Sequence, residues 1–152
     1  PVSIDAQMIG EHGDSVIAAW STASIAGMPL KDLLAQNPSK SGRMDEIYHN
    51  VRDAAYSIID AKGATCYGIA MGLAKISQAL LHNQNIVLTV STLLHGAYGH
   101  HDVYIGVPAV LNRNGVVRVI DKPLDAQEQA QFDQSAAILR DYQQKVLEYR
   151  HG

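Results

Sequence analysis

The chain has 152 residues, 47% hydrophobic and 18% charged, which is enough for one domain with a core of its own. A formal net charge of −3 supplies no basic face for nucleic acid and no polybasic membrane signal, and no apolar run approaches the roughly 18 residues that cross a bilayer. The single cysteine, Cys66, excludes an internal disulfide and fits a reducing cytoplasm.

The chain starts at Pro1, with no methionine and no leader-like segment, directly in the alternation Val2, Ile4, Ala6, Met8, which predicts a short strand. We therefore expect a piece cut from a longer polypeptide. From Val16 to Ile25 apolar and small residues mix without helical period, predicting extended structure. Gly27-Met28-Pro29 reads as a turn, Leu30 to Ala35 as a short helix, and Asn37 to Gly42 as a loop. Met44, Ile47, Tyr48, Val51, Ala54, Ala55, Ile58 and Ile59 recur at spacings of three and four and predict one amphipathic helix. Gly63 ends it, and Thr65 is placed to cap a second helix with the stripe Ile69, Leu73, Ile76, Leu80.

Ile86 to Leu94 opens a run of strands. Tyr104 to Leu111 and Val116 to Ile120 flank Asn112-Arg113-Asn114-Gly115, a strong hairpin signal. Asp125 and Glu128 stand three apart like a capping box, with Asp in place of Ser or Thr. The helix they open carries Phe132, Ala136, Leu139, Tyr142, Val146 and Tyr149 on one stripe, with Arg140, Lys145 and Arg150 on a solvated face. Strands, helices, strands and a last helix predict one α+β domain with antiparallel sheets packed on long helices.

Chemistry concentrates in Ile9-Gly10-Glu11-His12-Gly13-Asp14-Ser15. His12 lies just past a strand end, between two glycines that let the backbone bend and a ligand approach. Imidazole titrates near neutral pH, so His12 is a candidate general acid/base. Taken alone, it is also compatible with an incidental loop histidine. Such a group needs a carboxylate on its other nitrogen. Glu11 and Asp14 stand too close in sequence to face it, and Asp14 reads instead as a hydrogen-bond acceptor that steadies the loop. His100-His101-Asp102 is not a metal site by this reading, because adjacent residues on an extended chain point to opposite faces. The seven tyrosines are scattered rather than arranged as a stacking platform. Cys66 reads as a core or helix-start thiol.

The heptad around His12 resembles the active-site signature of the L-lactate dehydrogenases, within the lactate/malate dehydrogenase family. Trp20-Ser21 follows at the family's spacing, Tyr56 to Thr65 resembles its central helix and Lys-Gly-x-Thr corner, and Asp102 to Pro108 resembles its late strand. The resemblance covers nearly the whole chain, but it matches only the C-terminal, substrate-binding half of such an enzyme. It implies a parent that interconverts L-lactate and pyruvate with NAD in glycolysis and fermentation, a homotetramer in the cytoplasm. His12 would move the proton. Thr65, otherwise only a helix cap, would line the substrate pocket and narrow it toward pyruvate. Ala55 would be a second wall. Ile69, by periodicity only a core residue, would pack on the nicotinamide.

The resemblance also implies what must lie upstream of Pro1: a Rossmann domain that holds most of the NAD, the aspartate that pairs with His12, a mobile loop and the substrate-gripping arginine. No G-x-G pair occurs in this chain, so residues 1–152 are expected to be inactive alone. Two departures stand out. Seven residues before His12, where bisphosphate-activated bacterial enzymes carry a histidine, this chain has Asp5. A carboxylate repels phosphate, so no activation by fructose 1,6-bisphosphate is expected. Val16-Ile17-Ala18-Ala19 precedes Trp20 where the family usually has Phe-Pro. That leaves an L-2-hydroxyisocaproate-type dehydrogenase domain as one alternative, and a detached, non-enzymatic oligomerisation module as another.

Overall fold

The computed structural model describes residues 3–151. Pro1, Val2 and the side chain of Arg150 lie outside the described part, and with them the predicted start of the first strand and one cation of the last helix's solvated face. Residues 4–29 carry short antiparallel strands: β1 (Ile4–Asp5), β2 (Met8–Ile9), β3 (Ile17–Ala18), β4 (Ser24–Ile25) and β5 (Met28–Pro29). β2 pairs with β3, placing Ile9 opposite Ile17, and β4 lies between β1 and β5. Between β3 and β4 the chain is not extended as predicted. Trp20–Thr22 makes one 3₁₀ turn, closed by the Ala23 N–H on the Trp20 carbonyl at 3.1 Å. The turn expected at residues 27–29 sits one residue earlier, at Ala26-Gly27. Both have positive φ, +52° and +81°, as a two-residue hairpin that follows the strand twist requires.

Four helices follow: α1 (Leu30–Gln36), α2 (Arg43–Arg52), α3 (Ala54–Lys62) and α4 (Tyr67–Leu81). The single helix predicted from Met44 to Ile59 is thus two. Asp53 interrupts it with flattened dihedrals (φ −89°, ψ −2°), and its carboxylate is gripped by the Arg52 guanidinium, Nε to Oδ1 at 2.7 Å. Gly63 ends α3 in the left-handed region, φ +80°, which a residue without Cβ enters at no steric cost. Thr65 does not cap α4. Cys66 takes that position with no side-chain hydrogen bond, in keeping with the weak accepting power of sulfur.

β6 (Ile86–His95), β7 (His101–Asn112) and β8 (Gly115–Val119) form an antiparallel sheet with β7 in the middle. The predicted hairpin holds: Asn112 pairs with Gly115 across Arg113-Asn114. The chain closes with α5 (Ala126–His151). Asp125 caps it, its Oδ1 accepting the Glu128 N–H at 2.8 Å. The box expected there is not closed by Glu128 itself. That buried carboxylate accepts from the Ser21 N–H (2.8 Å) and hydroxyl, and Ser21 Oγ accepts the Asp125 N–H at 3.3 Å. The box is relayed through the 3₁₀ turn, and two donors of Ser21 satisfy the buried charge.

The core lies where β2, β3, β7 and the first half of α5 meet, built from Ile9, Ile17, Leu94, Val103, Ile105, Val107, Phe132 and Ala136. A second, smaller cluster joins Ala79 of α4 to Ala109 and Leu111 of β7. The strands-helices-strands-helix order and the all-antiparallel pairing match the α+β expectation.

Candidate functional site

The loop from Gly10 to Ser15 is pinned at its start by a two-way backbone bridge. The Gly10 N–H donates to the Gly106 carbonyl at 2.8 Å, and the Gly106 N–H donates to the Gly10 carbonyl at 3.0 Å. Both glycines are required by this approach. A Cβ on Gly106 would stand 2.8 Å from the Gly10 oxygen, and one on Gly10 would stand 2.9 Å from Ser135 Oγ at a φ of +102°. The loop therefore leaves the central strand β7 at close quarters, with rigid backbone behind it.

His12 lies exposed in this loop, and neither neighbouring carboxylate turns toward it. Glu11 Oε2 accepts from the Ser15 hydroxyl at 2.6 Å and the Ser15 N–H at 3.3 Å. Asp14 Oδ1 accepts from the Tyr56 hydroxyl at 2.9 Å. That contact ties the loop to α3, one residue from Ala55, and the Asp14 carboxylate pushes the Tyr56 phenol above its ordinary range. Tyr48 of α2 ties the far side, its hydroxyl donating to the Val16 carbonyl at 2.8 Å. Sequence reasoning missed both tyrosines, since a phenol on a helix face does not announce its partner.

Ala55, Thr65 and Ile69 are all exposed. Ala55 lies on the helix tied to the His12 loop. Thr65 sits in the α3–α4 corner and Ile69 on the first turn of α4, 59% exposed, and among the described residues no hydrogen bond links either to the loop. Two clefts of about 460 Å³ flank Tyr48 and Gln131, one reaching Glu11, Asp14 and Ser15, the other Trp20, Lys31 and Glu128. Neither is lined by His12, Ala55, Thr65 or Ile69. These four are exposed, and neither cleft encloses them.

Asp5 is paired, its Oδ2 lying 2.7 Å from Lys122 Nζ. Its carboxylate is thus engaged by a cation rather than standing free to repel anions. His100, in the β6–β7 connection, is bonded to α5, its Nε2 meeting Asp133 Oδ1 at 2.8 Å and its Nδ1 meeting Arg140 Nη2 at 3.1 Å. Because a guanidinium only donates, Nδ1 accepts and Nε2 carries the proton. Arg140 also donates to the His101 carbonyl, so it clamps the β6–β7 loop instead of lying on a purely solvated face. Lys145 pairs with Asp141 at 2.6 Å, as a solvated-face cation does. Cys66 is exposed, and among the described residues no cluster of three His, Cys, Asp or Glu could hold a metal ion.

Residues 1–150 match the family model of the lactate/malate dehydrogenase α/β C-terminal domain. The chain is 56% identical over 144 residues to an L-lactate dehydrogenase of Staphylococcus saprophyticus, covering 95% of this chain and 45% of that protein. It is 53% identical over 150 residues to L-lactate dehydrogenase 1 of Staphylococcus aureus, covering 99% and 47%. Among solved structures it resembles the minor L-lactate dehydrogenase of Enterococcus mundtii (TM-score 0.91, 38% identity, 96% of this chain and 47% of that one). It also resembles a malate dehydrogenase of Salinibacter ruber (TM-score 0.88, 28% identity, 99% and 48%). It spans about half the length of the curated relatives it matches. The chain belongs to the lactate/malate dehydrogenase family and comprises that family's α/β C-terminal domain.

Proposed function

We infer that this chain is the substrate-binding half of an NAD-dependent L-lactate dehydrogenase, with His12 as its proton donor and acceptor. The observation that carries the reading is the disposition of the loop. Glu11 and Asp14 are both engaged elsewhere, and His12 is exposed on a rigidly anchored turn, open to a substrate. Relatives named L-lactate dehydrogenase at 53–56% identity support lactate over malate.

NAD, when bound, takes or gives the hydride at the substrate's C2. The exposed apolar surface of α4 around Ile69 and Leu73 fits the nicotinamide end of that group, and the rest belongs to an upstream Rossmann domain. In lactate oxidation His12 accepts the C2 hydroxyl proton, and in pyruvate reduction it returns that proton to the carbonyl oxygen. Thr65 and Ala55 form one wall of the pocket, and the bulk of Thr65 favours a short side chain. The aspartate that orients His12 and the arginine that forks onto the substrate carboxylate come from the upstream half. The uncovered apolar faces of α2, α3 and α4 support that division, because they fit the upstream domain and the other subunits of a cytoplasmic homotetramer.

The test is NADH oxidation with pyruvate. The full-length parent is expected to turn over and residues 1–152 alone to be inactive; turnover by the isolated chain overturns the division of labour. A parent that prefers 2-oxoisocaproate to pyruvate overturns the substrate. An oligomer that never binds NADH overturns the enzyme reading in favour of an assembly module. With Asp5 held by Lys122 where an activating site would need a free cation, the parent is expected to show no response to fructose 1,6-bisphosphate, and a rising activation curve at neutral pH refutes this.

A further inference from the structure

We propose that Ser135 of α5 is a positioning residue for His12, acting through a closed ring of hydrogen bonds that begins and ends on Glu11. The proposal rests on the reading of His12 as the acid–base group.

Ser135 is fully buried, in the α5 stripe that also carries Phe132 and Ala136. A hydroxyl there costs free energy unless it is bonded, and alanine is the better helix former. A core-filling role alone therefore favours alanine. Ser135 Oγ accepts the Glu11 N–H at 2.7 Å and lies 3.2 Å from Ser15 Oγ. Ser15 Oγ in turn lies 2.6 Å from Glu11 Oε2.

The sense of the ring follows from chemistry. An ionised carboxylate has no proton to give, so Ser15 spends its single hydroxyl proton on Glu11. In the contact between the two serines, Ser135 is then the donor and Ser15 the acceptor. The Glu11 N–H gives to Ser135, Ser135 gives to Ser15, and Ser15 gives to the Glu11 carboxylate. All three donors run in one sense, the arrangement in which each bond polarises and strengthens the next.

The ring joins the main chain of Glu11 to the side chain of Ser15, and His12 lies between them. The Gly10–Gly106 bridge fixes the backbone just before it. Ser135 touches no reacting atom. What it does is tie the stretch that carries the imidazole to a helix seated in the core.

The experiment uses the full-length parent, with Ser135→Ala compared to wild type by kinetics and by hydrogen–deuterium exchange of the peptide covering residues 9–16. If the hydroxyl positions His12, kcat for pyruvate reduction falls about tenfold or more, since small misplacements of a catalytic group cost that much. KM changes less than kcat, and the 9–16 amides exchange faster. Ser135→Cys keeps the shape with a weaker acceptor and gives an intermediate loss. It also carries the test if Ser135→Ala fails to fold. Unchanged kcat and exchange overturn the proposal, and so does a lower Tm with kcat per folded enzyme unchanged. If the wild-type parent does not reduce pyruvate, the lactate reading fails separately, and the exchange comparison alone decides the ring: protection lost in the variant upholds it, protection retained overturns it.

Discussion

Strand β7 and helices α2–α4 are both rich in apolar residues, yet they end in opposite environments. On β7, Val103, Ile105, Val107, Ala109 and Leu111 are buried, because β6 and β8 flank the strand and β2, α4 and α5 pack against it. On α2–α4, Ile47, Val51, Ile58, Ile59, Ile69, Met71 and Leu73 are exposed, and Ala79 is buried at the far end where α4 meets β7. Helix α5 repeats the contrast within one element. Phe132 and Ala136 are fully buried, while Tyr142, Val146 and Tyr149 on the same predicted stripe are 60–89% exposed. Apolar periodicity records that a face is to be covered, not what covers it. Where the cover lies in this chain the face is core, and elsewhere it is open surface.

His12 stands between the two regions, exposed but held by buried anchors, and it gives the largest expected effect. His12→Gln in the full-length parent should lower pyruvate turnover by about 10²–10⁴-fold, the worth of a positioned acid–base group. Its melting temperature should stay at the wild-type value. A fall in stability matching the fall in rate would place His12 with the core instead.

Phe132→Ala tests the buried side. The Phe132 ring packs on Tyr98 and His100 at centroid distances of 4.9 and 5.6 Å, so the loss should be about 3–5 kcal/mol by urea denaturation. Leu73→Ser tests the open side. In the 152-residue chain it should change stability by less than about 0.5 kcal/mol, and in the full-length parent by clearly more. Equal effects in both would mean that nothing covers α4.

The smallest effect is a slope rather than a step. Asp133 clamps His100 to α5, and its carboxyl is held below its ordinary value by the Gln129 amide first and by His100 second. A folded-state pKa below the unfolded one contributes stability above the unfolded value of about 3.9 and loses it as pH falls through the folded value. Asp133→Asn should therefore flatten the acid limb of a stability-versus-pH curve and leave its shape near pH 7 unchanged, as read by denaturation from pH 2 to 6.

Much of this was legible in the chain itself. The β6–β7–β8 strands, the hairpin at Asn114-Gly115, the Asp125 cap and the helical periods of α2 to α5 follow from rules that act over a few residues. The same is true of the candidate site, since a histidine between glycines past a strand end is a local signal. The structure departs from the expectations where a local break or a distant partner decides. The break at Asp53, Ser21 taking the Glu128 carboxylate and Arg140 reaching back to His100 each involve a partner or a geometry that no local pattern states. Tyr56 on Asp14 and Ser135 on Glu11 join residues 42 and 124 apart in sequence, and nothing near either residue predicts the pairing.

By itself, then, the sequence determined most of the elements, the family resemblance and the candidate acid–base residue, because propensity, period and a short motif are read within one or two turns of chain. Tertiary structure alone decided which apolar faces become core, and that His12 faces outward while the carboxylates beside it are committed elsewhere. The physical reason is range. Burial and hydrogen-bond satisfaction are settled by whichever groups folding brings within contact distance, and sequence separation does not encode that distance.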